Sequence, residues 1–436
     1  MKRLRTLLLK SLVVAAAGLA VASAQAGVDI AHWVSPSGAR VYFVETHALP
    51  IVDVQVDFAA GSSRDPQGKE GLASFTHGLL DQGAGDLDET AIANRLADLG
   101  AKLGGGADKD RSSLSLRSLS ARETRDGALE LMRLVLAAPR FADEVLLRER
   151  ARTVAAIKEA LTKPEALASR AFWQALYPNH PYGRQATPES VEALTRADVE
   201  AFWKSNYNAA KASVTLVGDM SRAEAEAIAE KLTAALPAGG PASPLPAVTL
   251  PDARVVSVAH PASQSHLMLG LPALRRGDPD FFALQVGNYI LGGGGFVSRL
   301  VKEVRDARGY AYSAYSYFAP MVEAGPFQIG LQTKRAQAGD ALKVVEGVLA
   351  EFLAKGVSDS ELKAAKANLM GSFPLRLDSN RKLLENVAAI GFYGLPLDYL
   401  ETYTARVNKV SVADIKAAFA RHVRPGNLVT VKVAAE

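Results

Sequence analysis

The sequence predicts an α+β fold built from two similar halves, each a mainly antiparallel sheet with helices covering one face. The first observation is the alternation of apolar and polar residues, as in residues 52–58, which is typical of a half-buried strand. The second is that strand patterns in each half precede helical stretches, at residues 124–137 and 339–355. The third is a proline-rich segment that divides the chain almost in half.

The strand patterns follow the same order in both halves. In the first half, residues 52–58 and 113–117 alternate, and residues 214–217 form an apolar run near the end. The corresponding patterns of the second half are residues 267–271, 327–332 and 428–431. Two halves with the same plan indicate a duplicated domain, at a period too long for a solenoid.

The proline-rich segment, residues 236–251, predicts a semi-rigid linker. It contains several prolines beside Gly239 and Gly240, a composition that forms neither a helix interior nor a central strand. We therefore assign residues 28–235 to an N-terminal domain and residues 252–436 to a C-terminal domain.

The first 24 residues have the pattern of a secretory signal peptide. Basic residues at the start are followed by an apolar run over residues 12–22, which is too short to span a bilayer. Small residues then offer cleavage near Ala24 or Ala26. The sequence thus predicts a periplasmic or secreted protein with no stable membrane anchor.

Charge and cysteine content exclude several functions. Four of the 50 Lys and Arg residues lie in the signal segment, so the remaining 46 balance the 46 Asp and Glu residues. A mature protein of near-zero net charge argues against nucleic acid as a partner. The chain has no cysteine, so disulfides and thiolate ligands are absent.

Residues 70–80 predict a short helix with an apolar stripe at positions i, i+3 and i+7, formed by Leu72, Phe75 and Leu79. Ser74 and Gly78 are four residues apart and share another face, with His77 beside them. A Ser74–His77 nucleophile–base pair is one interpretation. It lacks a G-x-S-x-G elbow and an evident orienting group for the base.

This helix resembles the zinc-binding helix of the insulinase/pitrilysin-like metallopeptidases, the family that includes the mitochondrial processing peptidase. Their frame is G-L-A-H-F-x-E-H-x-L, in which two His bind zinc and the Glu activates water. On that frame Ser74 and Gly78 replace the two His, and His77 replaces the Glu. The resemblance places the third ligand at Glu149, with Glu159 as an alternative. It therefore implies a degenerate site in which this chain binds no metal.

A second segment, residues 290–313, resembles the family signature L-G-G-G-x-x-S-R-L-x-x-x-V-R-x-x-x-G-x-A-Y-S. In the family, an Arg and a Tyr seven residues later reach the zinc site of the other half or subunit, and here these are Arg305 and Tyr312. The Arg would bind peptide and the Tyr hydroxyl would stabilise the oxyanion. The alternative is that Tyr312 packs as an ordinary strand residue and Arg305 is a surface charge.

The glycine run of this segment lacks a following G-K-[ST], which argues against a nucleotide loop. Close packing or a tight backbone path is the better interpretation for Gly292, Gly293, Gly294 and Gly295. Residues 179–183, which resemble a family H-P-Y-G stretch, predict a structural turn.

The resemblance implies a non-catalytic subunit of a heterodimeric zinc endopeptidase. Its partner would be a homologous subunit that binds the zinc, and this chain would help bind unfolded peptide substrates, in part by strand addition at a sheet edge. Arg305 and Tyr312 would act on the partner's site. The alternative is a peptide-binding or assembly protein on an inactive peptidase scaffold.

Overall fold

A computed structural model describes residues 28–435, so the signal segment lies outside the described residues. The N-terminal half holds a six-stranded sheet in the order β1-β2-β8-β3-β7-β6, in which only β2 and β8 pair in parallel. Its strands are β1 Ala31–Val34, β2 Arg40–Glu45, β3 Ile51–Phe58, β4 Gly83–Ala84, β5 Leu87–Asp88, β6 Lys102–Ala107, β7 Ser112–Leu119 and β8 Ala212–Gly218. Its helices are α1 Leu72–Leu79, α2 Glu89–Asp98, α3 Arg122–Ala137, α4 Asp143–Ala160, α5 Pro164–Leu176, α6 Pro188–Glu192, α7 Arg196–Asn206 and α8 Arg222–Thr233.

The C-terminal half holds a five-stranded sheet in the order β11-β12-β10-β13-β9, in which only β13 and β9 pair in parallel. Its strands are β9 Arg254–Val258, β10 Gln264–Leu274, β11 Ala311–Phe318, β12 Gly325–Lys334 and β13 Val429–Val433. Its helices are α9 Phe281–Asn288, α10 Arg299–Val301, α11 Ala338–Lys355, α12 Asp359–Ser372, α13 Asn380–Tyr393, α14 Tyr399–Lys409 and α15 Val412–His422. The predicted α+β fold with two similar halves is confirmed.

The two halves exchange one helix each. Helix α5 of the N-terminal half packs on β10 and β13, and helix α13 of the C-terminal half packs on β8 and β3. Helix α13 also contacts β2, where Gly391 lies directly against the ring of Tyr42 and a Cβ on Gly391 would come within 2.5 Å of that ring. Each sheet is therefore covered by its own helices on one face and by a helix of the other half on the opposite face.

This exchange corrects the prediction that β3 is a half-buried strand with helices on one face. Val54 and Val56 enter the core as expected, but Asp53 and Asp57 on the other face are also buried. Their charges are compensated within the sheet, since Arg117 makes two hydrogen bonds of 2.7 and 3.0 Å to Asp53. Arg111 lies 3.4 Å from Asp57. The predicted alternation of apolar and polar residues along β3 is therefore correct, but α13 covers the polar face, so both faces of the strand are buried.

Residues 237–253 contain no helix or strand and are hydrogen-bonded to both halves, since Asn427 donates to the Pro251 carbonyl at 2.8 Å and His180 contacts Pro246. The Nδ1 of His180 accepts from the Tyr182 amide at 3.1 Å, which leaves its Nε2 to donate to the Pro246 carbonyl at 2.9 Å. Residues 181–183 form a single 3₁₀ turn, so the predicted structural turn is confirmed. None of the helices within residues 28–435 combines the length and apolar character needed to cross a bilayer.

Asp110 joins the two halves at the β6–β7 turn. Its buried carboxylate accepts from the Tyr182 hydroxyl at 2.5 Å, from the Val322 amide at 2.9 Å and from the Tyr393 hydroxyl at 3.2 Å. Burial raises the pKa of Asp110, and these donors partly offset that effect. Because Val322 and Tyr393 belong to the C-terminal half, one carboxylate holds both halves to this turn.

We expect Asp110→Ala to lower the free energy of unfolding by about 3–5 kcal/mol, because it leaves one buried and two part-buried donors without an acceptor. Urea denaturation measures the change. Asp126→Ala is the control, since it removes only partly exposed contacts to Arg122 and Arg125 and should cost less than about 1 kcal/mol. Equal effects of the two variants would contradict the role given to Asp110.

Candidate functional site

Helix α1 begins at a capped glycine. Gly71 has φ 101°, a left-handed conformation that favours glycine, and places the first amides of the helix towards Asp65. The Asp65 carboxylate accepts from the amides of Gly71 and Ala73 at 2.7 Å each. The predicted stripe is confirmed, since its three side chains are buried, whereas Ser74 and Gly78 are exposed.

Burial raises the pKa of the Asp65 carboxyl to about 6, despite the two amide donors that favour its ionised form. A raised folded-state pKa contributes stability below pH 4 that is lost as the pH rises through about 6. The unfolding free energy of the wild type relative to Asp65→Asn should therefore fall by about 2–3 kcal/mol between pH 4 and pH 6.5. Urea denaturation at both pH values measures this difference, and a rise with pH would contradict it.

The imidazole of His77 is oriented by a chain of hydrogen bonds from two buried hydroxyls, those of Ser112 and Tyr207. Its Nδ1 lies 2.9 Å from Ser112 Oγ, which in turn accepts from the Tyr207 hydroxyl at 2.7 Å. Ser112 therefore donates to Nδ1, and the proton of the neutral imidazole lies on Nε2. Burial lowers the pKa of His77, so the ring is neutral at physiological pH.

The Ser74–His77 pair forms no hydrogen bond within residues 28–435. The Nδ1 of His77 is taken by Ser112, which is 1% exposed and beyond the reach of a substrate. Ser74 points outward from the exposed face of α1. The arrangement therefore offers no activated serine, and the contact that fixes His77 lies 35 positions away in the chain.

Glu149 lies on α4, which packs against α1. Its carboxylate is 2.7 Å from Arg148 Nε and 2.8 Å from Arg152 Nη1, so two cations compensate its charge. Glu159 is farther along the same helix and pairs with Lys163 at 2.7 Å. The exposed face of α1 and the helix beside it therefore present one half-buried neutral imidazole and a carboxylate already paired with arginines.

Across residues 28–435, one group of three carboxylate or imidazole side chains is close enough to share a metal ion. It consists of Asp278, Asp280 and His422 and lies in the C-terminal half. Asp280 is already bound by Arg421 through contacts of 2.6 and 2.8 Å. The residues of α1 form no such group.

Beside α1, the edge strand β6 is exposed along most of its length. Gly105 has φ 157°, and a Cβ there would lie 1.9 Å from the Ser113 carbonyl and 3.1 Å from His77 Cε1. Gly104 and Gly106 have open space around them. The result is a bare strand edge that passes directly beside His77, and three glycines in a strand pattern are the sequence signal that could have indicated it.

Arg305 and Tyr312 lie together in the C-terminal half. The Arg305 guanidinium lies 4.6 Å from the centre of the Phe296 ring and 5.0 Å from that of Tyr312. Phe296 is 69% exposed and Tyr312 is 84% exposed. A register shift in β11 between Ala311 and Ala314 turns Tyr312 out of the sheet. Within residues 28–435, no hydrogen bond or ion pair joins this Phe296–Arg305–Tyr312 cluster to α1.

The glycine segment packs against the edge of β11. A Cβ on Gly292 would lie 2.6 Å from the Ser316 amide nitrogen, and one on Gly294 would lie 2.6 Å from the Tyr289 carbonyl. Asn288 donates to the Ser316 carbonyl at 3.0 Å. Residues 289–293 form a π-helical turn that packs against β11, one of the two edge strands of the C-terminal sheet.

Two family models match consecutive parts of the chain. The model described as insulinase (peptidase family M16) matches residues 40–188, and the model described as peptidase M16 inactive domain matches residues 193–369. A crystal structure of a peptidase M16 inactive domain from Pseudomonas fluorescens is 39% identical, with a TM-score of 0.90, and the match covers 93% of this chain and 97% of that chain. The chain belongs to peptidase family M16.

Two further M16 relatives come from Helicobacter pylori. A protein named non-peptidase homolog YmxG is 26% identical over 395 residues, which cover 89% of this chain and 90% of the relative. The crystal structure of a protease from the same species is 19% identical with a TM-score of 0.86, covers 93% of this chain and 100% of that chain, and shows the same fold.

This M16 chain is an inactive form of the peptidase scaffold. The helix of the zinc motif is present and correctly packed, but its exposed face carries a hydroxyl and a glycine where the family frame has two imidazoles. Neither a serine hydroxyl nor a bare backbone replaces an imidazole as a zinc ligand.

Proposed function

We propose that this chain is the non-catalytic subunit of a heterodimeric M16 zinc endopeptidase. A homologous subunit with an intact H-x-x-E-H motif would hold the zinc, and this chain would supply Arg305 and Tyr312 to that site. The observation that carries the proposal is the Phe296–Arg305–Tyr312 cluster, which is fully formed and highly exposed on a chain whose own zinc helix is degenerate.

The cluster has the composition of an interaction hot spot. Arginine and aromatic side chains dominate the energetics of protein interfaces because they bury large areas with few rotatable bonds. Here the two rings hold the Arg305 guanidinium in place, so little conformational freedom remains to be lost on binding. A protein chain that approached Tyr312 would also exclude water from its hydroxyl, which strengthens a hydrogen bond to a developing oxyanion.

The bare edge of β6 gives the same chain a place for the peptide. An extended peptide can add to an exposed strand through main-chain hydrogen bonds, largely independent of its sequence. Gly104 and Gly106 leave room for the side chains of the added strand. Such binding suits a substrate that is unfolded.

The deciding experiment mixes this chain with a homologous H-x-x-E-H subunit, for instance one encoded by a neighbouring reading frame, and measures cleavage of a fluorogenic peptide. We expect the mixture to be at least tenfold more active than the H-x-x-E-H subunit alone, and this chain alone to be inactive. A mixture no more active than the zinc subunit alone would refute the subunit proposal.

A second candidate function is peptide binding without hydrolysis, which the open β6 edge favours because it needs no metal. In that case peptide binding would survive Arg305→Ala and Tyr312→Phe, and no partner would be needed. Titration of this chain with an unfolded peptide and with the same peptide N-methylated at alternate residues tests the edge, because N-methylation removes the donors of strand addition. We further propose a periplasmic or secreted location, which the signal pattern of residues 1–24 supports.

A further inference from the structure

A cavity of about 570 Å³ lies in the C-terminal half, between α9, α12 and the end of β11. Aromatic and aliphatic side chains form much of its wall, among them Phe281, Tyr289, Phe318 and Leu369. It is separate from α1 and from the Phe296–Arg305–Tyr312 cluster, since no residue of either lines it.

Two arginines, Arg276 and Arg376, line this cavity, and no Asp or Glu does. Neither side chain forms an ion pair or a hydrogen bond with any residue in the described range 28–435. Arg276 lies 4.9 Å from the ring centre of Tyr393 and Arg376 lies 5.9 Å from that of Tyr403, contacts that orient the guanidinium groups without neutralising them. The Nε of Arg276 is buried without a partner. The cavity therefore holds uncompensated positive charge.

The nearby acidic residues serve other groups. Asp280 accepts from Arg421 at 2.6 and 2.8 Å and lies 2.9 Å from His422. Asp278 lies 3.8 Å from His422 and lines a smaller neighbouring cavity that Arg276 also borders. No carboxylate of this loop lies within 4.0 Å of Arg276, so the charge is left for a ligand.

We propose that this cavity binds the carboxylate of an aminoacyl group that carries an apolar side chain. The terminal nitrogens of Arg276 and the exposed Arg376 would hold the carboxylate, because a planar guanidinium matches its two oxygens. The apolar side chain would pack on Phe281 and Phe318. Asn368 and Ser372, whose side chains have no partner within residues 28–435, add hydrogen-bonding groups to the same wall.

The same carboxylate chemistry has two sources, the C-terminus of a peptide and a free amino acid. The proposed carboxylate site needs neither zinc nor a partner subunit, so its test is independent of the test of the proposed function. Calorimetric titration of this chain alone tests it, with N-acetylphenylalanine as the probe and N-acetylphenylalanine amide as the uncharged analogue.

We expect the acid to bind at least about tenfold more tightly than the amide, as a charge-assisted hydrogen bond requires. Arg376→Gln and Arg276→Gln should each weaken binding of the acid about tenfold. Arg381→Gln is the matched control, because this exposed residue pairs with Glu385 outside the cavity and should leave binding unchanged. Because Arg376 is exposed, its substitution should not disturb folding. Thermal melting checks that both arginine variants are folded.

Two further arms distinguish the sources. If a tripeptide ending in phenylalanine binds more tightly than free phenylalanine, the site is assigned to peptide C-termini. If free phenylalanine binds more tightly, the site is assigned to free amino acids. Both results support the carboxylate site. Equal binding of acid and amide, unchanged binding in both arginine variants, or tighter binding of inorganic phosphate than of the acid would overturn it.

Discussion

Tyr312→Phe in this chain should lower the rate of peptide hydrolysis by the proposed heterodimer by about 10²–10³-fold, the usual effect of removing one donor to a developing oxyanion. The loss should appear in kcat, because the hydroxyl is needed in the transition state more than in the bound substrate. Peptide cleavage by the purified complex measures it. The ring remains in the variant, so the contact with Arg305 is preserved.

Tyr315→Phe provides the matched control, since Tyr315 lies on the same strand and is 41% exposed. It should change the rate less than about twofold. If Tyr312→Phe and Tyr315→Phe behaved alike while the complex still formed, Tyr312 would have no part in the chemistry. Arg305→Ala should instead raise KM, because a guanidinium that holds the peptide contributes to binding in both states.

Restoring the family motif on α1 should give this chain a zinc site. The variant carries Ser74→His, His77→Glu and Gly78→His. Both new imidazoles have room, since Ser74 is exposed and nothing lies within 4 Å of a Cβ on Gly78. We expect an affinity for zinc more than about 100-fold above that of the wild type. Mutating a residue that only contacts a metal ligand already lowers metal affinity by about 10–100-fold, and this variant regains two ligands. Metal analysis and calorimetric titration measure the gain.

Two controls sharpen this experiment. Ser74→His with Gly78→His alone should bind zinc but cleave no peptide, because the Glu that activates the metal-bound water is missing. Glu149→Gln in the restored chain should weaken zinc binding if Glu149 leaves its contacts with Arg148 and Arg152 to become the third ligand. A wild-type chain that purifies with one zinc per molecule at α1 would contradict the whole interpretation.

Local periodicity was sufficient to predict the elements that carry the site. The stripe of α1 and the alternation of β3 depend on neighbours within a few positions, and both lie where the sequence places them. The pairing of Glu149 with Arg152 is also local, at a spacing of three residues on one helix.

The contacts that decide the chemistry could not be predicted from the sequence, because they join residues that are far apart in the chain. Ser112 and Tyr207 are 95 positions apart, yet together they fix the tautomer of His77. The burial of Asp57 depends on a helix more than 300 residues further along the chain. No pattern in a short window encodes such partners, and the outward turn of Tyr312 depends on a register shift that pairing alone defines.

The exchanged helices α5 and α13 have a consequence for biosynthesis. Until residues 380–393 emerge from the ribosome, one face of the N-terminal sheet has no cover, so the first domain cannot finish folding while the second is still being made. A nick in the connecting segment should leave the two fragments attached, and a fragment ending near residue 236 should aggregate. The chain should consequently melt in a single calorimetric transition, as one cooperative unit despite its duplicated plan.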